Sequence, residues 1–320
     1  MTSPSITALR IVATAGAAPD APGTPADPWL HAERRSRKVG PLPVKARLAL
    51  AAFERLRAAL GDDDRRFAAP RAGVSLGTLF GSIEVAEQCL TAVHEHGFER
   101  VTPSWYATGL PNATAAIVAS LGELQGPNLS FLGYQAGLDA IVGAGRQIVA
   151  GHADAMCAGG FDLPSERYVA RARAQAPFAR AAAIHAGAGL VWLAAGAPRA
   201  GDAGQLLGWS QRLFDDTAFE AARDDGFRPL VAAARAMAGH AAAGLEPELH
   251  LIAPGLPGAI DRLAAGAPLA LAEGLGDGLA GSWRPGLHAL VVKGLGPVAT
   301  CVLVGKPGGA GHPSRHQEAA

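Results

Sequence analysis

Apolar and polar positions along this chain follow two different periods, and the changes of period mark its elements. From Leu138, apolar residues at 138, 141, 142, 148 and 149 form the stripe of an amphipathic helix. Before it stand NLSFL, a short apolar run after the Gly126-Pro127 break, and the small-residue turn GYQAG. After it, Gly151 stops the helix, and ADAMCAGG has the pattern of a buried small-residue strand ending in a glycine pair. The stretch from Gly126 to Asp162 therefore predicts strand, sharp turn, helix and second strand.

The remaining elements are set out around it. ITALRIVATA (6–15) predicts a first strand, followed by a Pro/Ala/Gly loop to about residue 28. PVKARLALAAFERLRAALG (43–61) predicts a helix with a glycine stop, and DDDRRFAAP an exposed connection. Residues 71–103 predict a strand (GVSLGT) and then a helix, and LPSERYVARARAQAPF a polar connection of helical character. Further on, QLLGWSQRLFDD predicts a strand, RPLVAAARAMAGHAAAGL (228–245) a helix, and ELHLIAPG (248–255) a strand entering a loop. Residues 308–320 have the composition of a disordered tail.

Composition narrows the function classes. At 320 residues, 49% of them hydrophobic, the chain can bury one large core or two moderate ones. Its 28 basic residues face 28 acidic ones, and this balance argues against an electrostatic nucleic-acid binder. Three cysteines (Cys89, Cys157, Cys301) are widely spaced without a C-x-x-C, which fits a reducing compartment and neither a disulfide framework nor a zinc site. His94 and His96, two residues apart, do not share a helix face, so no metal is expected there. No basic flank leads into a long apolar run, and no uninterrupted apolar stretch reaches about 18 residues. A cytoplasmic protein with no membrane partner and no cofactor is expected.

Several segments together resemble the β-ketoacyl synthases of the thiolase-like fold. The matching motifs are GVSLGT with its following helix, Pro111-Asn112 and Gly126-Pro127 in 104–127, the turn and helix at Gly137-Leu138-Asp139, Gly187-Ala188-Gly189 within 181–196, and the closing hairpin at 287–307. The resemblance implies an α/β thiolase-like fold of two pseudo-repeated halves with α-β-α-β-α layers, the second half reduced. On that basis 1–205 is a ketosynthase-like N-terminal half, 206–307 a reduced C-terminal half and 308–320 the tail. Family members run longer, and the shortfall falls mostly in the second half.

In that family the turn before the central helix carries a nucleophilic cysteine, and two later loops each carry a histidine. Here the cysteine's place is Tyr134, the first histidine's place Pro254, and the second's, on a looser match within GLGDGLAG, Asp277. Condensation on a thioester needs a thiolate and donors that stabilise a developing enolate. A phenol with pKa near about 10, a proline without an N–H and an anionic aspartate supply none of these. Leu295 stands where the family's closing hairpin has a phenylalanine gate. Cys157, in an apolar strand, is expected to be inert.

The resemblance thus implies a chain-length-factor-like, non-catalytic subunit pairing with an active ketosynthase as a heterodimer, acting on acyl chains carried by an acyl carrier protein. Tyr134-Gln135-Ala136-Gly137-Leu138-Asp139 is similar to a chain-length-factor sequence shifted by one residue, and the small size resembles partner subunits of bacterial polyene pathways. Trp105, Tyr106, Thr108, Asn112, Leu129, Phe131, Tyr134 and Gln135 are the residues expected to line the tunnel or the subunit interface. The basic cluster HAERRSRKVG (31–40) is either a solvated loop or a docking patch for an acidic carrier protein. Two other readings remain open: an autonomous acyltransferase or thioesterase on a ketosynthase scaffold, and a homodimeric scaffold that holds carrier protein.

Overall fold

The computed structural model describes residues 9–17, 42–61, 71–174, 178–181, 183–214, 218, 221, 225, 227–254, 260–261, 263–275, 283–295 and 297–307. The basic cluster at 31–40, Asp277 and the tail at 308–320 lie outside them.

Nine strands form one mixed sheet: β1 (Leu9–Ala17), β2 (Ala72–Thr78), β3 (Asn128–Leu132), β4 (Ala155–Asp162), β6 (Gly187–Ala194), β7 (Gly204–Leu213), β8 (Glu248–Ile252), β10 (Gly286–Lys293) and β11 (Val298–Lys306). Their spatial order is β3-β2-β4-β6-β1-β7-β11-β10-β8, and a small second sheet pairs β5 (Ala183–Ile184) with β9 (Ile260–Asp261). The internal repeat is visible in the pairing. β1 runs antiparallel to β6, β6 antiparallel to β4, and β4 parallel to β2. Outward from β7 the same sequence recurs, with β11 antiparallel, β10 antiparallel to β11, and β8 parallel to β10. The first half adds β3, parallel to β2, beyond this point, whereas the second half stops at β8.

The helices complete the layers. They are α1 (Val44–Leu60), α2 (Ile83–His96), α3 (Pro103–Gly109), α4 (Ala113–Leu121), α5 (Ala136–Val149), α6 (Glu166–Arg173), α7 (Arg228–Ala238) and α8 (Gly266–Leu275). One core cluster joins α1 (Leu48, Phe53, Leu56) to β1, β2 and β6. Another joins α7 (Leu230, Val231, Ala234) to Leu287, Ala289, Val291 and Cys301. Between them a third gathers α5 (Leu138, Ile141, Val142) and α8 (Leu271, Leu275) with residues of both half-sheets, such as Met156, Val191, Trp209 and Val302. Strand residues of opposite parity supply opposite faces, as Leu287 and Val291 on one side and Leu290 and Val292 on the other. The expected α-β-α-β-α thiolase-like layering is therefore present, with α5 and α8 as the buried middle layer.

The second half is shortened in one place. In the first half, β2 ends at Thr78 and α5 begins at Ala136, with α2, α3, α4 and β3 in between. In the second half β8 ends at Ile252 and α8 already begins at Gly266, and among the described residues only the two-residue β9 and a short 3-10 turn lie between them. Across 104–127 the chain forms two short helices and not one. Pro111 drives Leu110 into an extended conformation (φ −73°, ψ 144°) and separates α3 from α4.

Close approach in the middle layer depends on missing side chains. A Cβ on Gly137, in the first turn of α5, would lie 2.0 Å from the Ala264 carbonyl oxygen just ahead of α8. One on Gly77 would lie 2.1 Å from the backbone of Ala136. These contacts set the N-terminus of α5 against the end of β2 and against the chain entering α8, at the turn where the family places its nucleophile.

Candidate functional site

The turn between β3 and α5 is built on Gly133, whose φ of 136° favours glycine, and whose N–H donates to the Thr78 carbonyl. Tyr134 follows it and is 3% exposed. Its ring lies 6.3 Å from that of Phe178, within the cluster holding Leu138, Ile184 and Phe178. Tyr134 is thus an aromatic core residue. Gln135 is half-buried and starts α5. It shares a hydrogen bond with Asp139 and packs on Gly294, where an added Cβ would meet its Oε1 at 2.4 Å. Leu295, next along the same hairpin turn, is 48% exposed and covers nothing at Tyr134 that the described contacts record.

The first turn of α5 is held to the second half-sheet by Asp139. Its Oδ1 accepts from the Thr300 hydroxyl (2.8 Å) and from Gln211 Nε2 (2.9 Å), and Arg146 donates to Gln211 Oε1 (3.1 Å). Burial pushes the Asp139 carboxyl up, against the pull of Thr300 and Gln211. The positive end of the α5 dipole, which elsewhere would acidify a thiol, here faces this carboxylate and Gln135.

Asp162, at the end of β4, is fully buried. Its carboxylate accepts from the Thr78 hydroxyl (2.7 Å) and from the backbone N–H groups of Leu79 (3.0 Å), Phe80 (3.3 Å) and Ala264 (2.9 Å). Burial pushes the carboxyl up to about 6 against these donors, so at neutral pH it is ionised and acts only as acceptor. It ties β2 and β4 of the first half to the segment entering α8 of the second. Sequence reasoning marked Asp162 only as the end of a strand. Its partners lie roughly eighty and a hundred positions away, and no local pattern announces them.

Lys45 of α1 is 2% exposed and reaches the loop after β2. Its Nζ donates to the Gly81 carbonyl (2.7 Å) and to the Ser82 hydroxyl, and lies 3.8 Å from Glu84. Ser82 in turn donates to the Leu110 carbonyl (3.0 Å), so the lysine fixes the ground on which α3 and α4 stand. Burial lowers its pKa from 10.5 to about 8, despite the nearby Glu84 and Asp162. A cation whose pKa is depressed by folding contributes stability above its unfolded value, and that contribution is lost as pH falls through the folded one. Wild-type stability should therefore gain from Lys45 between about pH 8 and about pH 10.5, and Lys45→Met should flatten that rise. Urea midpoints measured across this window test it; an unchanged slope in the variant would refute the assignment.

The other expected site residues divide into two sets. Trp105 is half-buried on α3, Tyr106 is 75% exposed, and Asn112 is exposed at the start of α4. The Thr108 hydroxyl is turned back onto its own helix, donating to the carbonyls of Ser104 (3.1 Å) and Trp105 (3.3 Å). Leu129 and Phe131 are not presented outward. A Cβ on Gly143 of α5 would meet the Phe131 ring at 2.6 Å and Leu129 Cδ1 at 3.7 Å, so both side chains pack on α5. The alternation of the strand turns Asn128, Ser130 and Leu132 the other way, and all three are exposed. Pro254 sits half-buried in the turn after β8, without a side-chain donor. Cys157 is fully buried, and burial pushes its thiol far up, so it remains a thiol. Among the described residues no helix is long and apolar enough to cross a membrane.

With this geometry in hand, comparisons with known proteins give a consistent picture. Residues 30–188 match the family model described as "Beta-ketoacyl synthase, N-terminal domain". The 3-oxoacyl-[acyl-carrier-protein] synthase 2 of Vibrio cholerae is 35% identical over 98 residues, and that of Coxiella burnetii 33%. Each match covers 30% of this chain and 24% of the relative, so the chain aligns with about a quarter of the length of these curated proteins. Among solved structures, the ishigamide ketosynthase/chain length factor superposes with a TM-score of 0.69 at 20% identity, covering 94% of this chain and 100% of that one. A type II polyketide ketosynthase complex with its acyl-carrier protein, bound to the hexaketide, gives 0.65 at 15%, covering 94% and 99%. The fold, the motifs and the matched first half agree: the chain belongs to the β-ketoacyl synthase family.

Proposed function

We propose that this chain is a non-catalytic, chain-length-factor-like subunit that pairs with an active ketosynthase and helps shape the tunnel for acyl chains carried by an acyl carrier protein. The observation that carries this reading is the burial of Tyr134 in an aromatic core at the nucleophile's place. A phenol with its usual pKa near about 10 cannot replace a helix-activated thiolate, and the packing of Phe178 and Leu138 leaves it serving structure. Pro254, at the place of the first family histidine, offers no donor to an enolate.

The partner then supplies the thiol. Support for a partner comes from the outer side of the first half. β3 is the last strand of the sheet, with β2 its one strand neighbour. Six of the ten large apolar side chains most exposed among the described residues (Leu90, Phe98, Tyr106, Leu110, Leu132 and Val149) come from 83–149. An exposed edge strand beside apolar side chains is a surface that natural proteins cover. Two solved structures of similar fold are a ketosynthase/chain length factor and a ketosynthase with its acyl-carrier protein, and the same assembly is proposed here.

Affinity purification of the chain from its native host, with mass spectrometry of what co-purifies, tests the reading. A cysteine-bearing ketosynthase at equal stoichiometry is the expected result. A homodimer or monomer that by itself turns over acyl thioesters would overturn it. Within a recovered complex, Trp105→Ala should shift product length; if it leaves it unchanged, the tunnel-shaping role fails while the pairing stands.

A further inference from the structure

At the edge of the sheet opposite β3, where the second half stops short, three metal-ligand side chains converge. β8 and β10 are parallel neighbours, with His288 opposite Glu248 and Leu290 opposite His250. Residues 248, 250 and 288 therefore share one face of the sheet, the face that Leu290 and Val292 present to the central layer. One donor atom from each of Glu248, His250 and His288 lies within 4.8 Å of the other two.

The orientation is set by a second layer of contacts. His288 is buried, and its Nε2 lies 2.8 Å from the Arg284 carbonyl, an acceptor that fixes the proton on that nitrogen. The Nδ1 lone pair is thereby turned toward His250 Nε2 at 3.1 Å and Glu248 Oε2 at 3.7 Å. Trp283 stacks on both imidazoles, at 4.2 Å from His250 and 4.6 Å from His288, and its backbone N–H donates to the Gly274 carbonyl of α8 (2.8 Å). A histidine that donates its other nitrogen to a backbone carbonyl is the usual arrangement of a metal-ligating imidazole. Two nitrogens bound at about 2.0–2.1 Å to a tetrahedral ion stand about 3.3 Å apart, close to the separation found here. Glu248 is 59% exposed and free to close the remaining gap.

We propose that Glu248, His250 and His288 form a binding site for a divalent transition-metal ion, with Zn2+ the best match to two imidazoles and one carboxylate. The ion links the edge strand β8 to β10 where no further strand pairs with β8. The site is independent of the condensation chemistry and of any partner. His288 stands thirty-eight positions after His250, and the sequence shows no ligand spacing that would announce the pair.

The untagged full-length chain, stripped with a chelator, should take up one equivalent of Zn2+ by titration calorimetry and elemental analysis, and Co2+ should give the visible absorption of a tetrahedral site. His250→Gln is expected to weaken Zn2+ binding by at least about 100-fold, and Glu248→Gln, at an exposed position that folding does not need, by at least about tenfold. Zn2+ should also raise the melting temperature of the wild type and not that of His250→Gln. Absence of stoichiometric Zn2+ and Co2+ binding, or binding that both variants retain at wild-type affinity, would overturn the proposal.

Discussion

Asp162→Ala should be the most damaging single substitution in the described structure, costing about 3–5 kcal/mol and leaving little folded protein at 37 °C. The carboxylate is fully buried and accepts from one hydroxyl and three backbone N–H groups. Alanine removes every acceptor at once and leaves the donors of Thr78, Leu79, Phe80 and Ala264 without this partner. Asp162→Asn keeps the shape and one acceptor oxygen but turns an NH2 group toward N–H donors, so it should fall between alanine and wild type. Urea unfolding of the three proteins measures the order. An Asp162→Ala midpoint within error of the wild type would show that the network contributes nothing.

The second large effect concerns association and not stability. Leu132 is 59% exposed at the end of the edge strand, so Leu132→Asp should leave the melting temperature of the isolated chain unchanged. If β3 and its surroundings meet a ketosynthase, the same change buries a carboxylate in an apolar contact. It should lower partner affinity by at least about 30-fold, corresponding to about 2 kcal/mol. Quantitative pull-down with the wild-type chain as competitor reads this directly. Unchanged capture would move the interface away from β3, and lost capture with a lowered melting temperature would mean a folding defect.

The sequence made most of the first half legible, because its elements are local. The stripe from Leu138 is α5, NLSFL is β3 and ADAMCAGG overlaps β4, which begins at Ala155 and runs past the glycine pair to Asp162, since apolar period and glycine breaks are properties of neighbouring residues. The sequence also places Tyr134 where the resemblance puts the nucleophile, and the structure buries that residue. The direction of side chains was less legible: Leu129 and Phe131 were expected to line the tunnel or the interface, and which face of β3 they share with α5 is not given by alternation alone. The helix across 104–127 divides at Pro111, a break the proline itself could have announced. What stayed hidden depends on distant partners. Asp162, Lys45 and the Glu248–His250–His288 cluster each acquire their role from groups brought together only by the fold.

The continuous sheet has a consequence for how the protein is made. β1 pairs only with β6 and β7, more than 170 positions later in the chain. At roughly 5–20 residues per second, the ribosome needs on the order of ten to thirty seconds to deliver β6 after β1 has emerged. During that time LRIVATAGA, a strand buried along nearly its whole length in the finished fold, has no strand to pair with. The earliest strand to emerge waits longest for its neighbours, so newly made chains should lean on chaperones during synthesis, and yields should improve when translation and chaperone supply are matched.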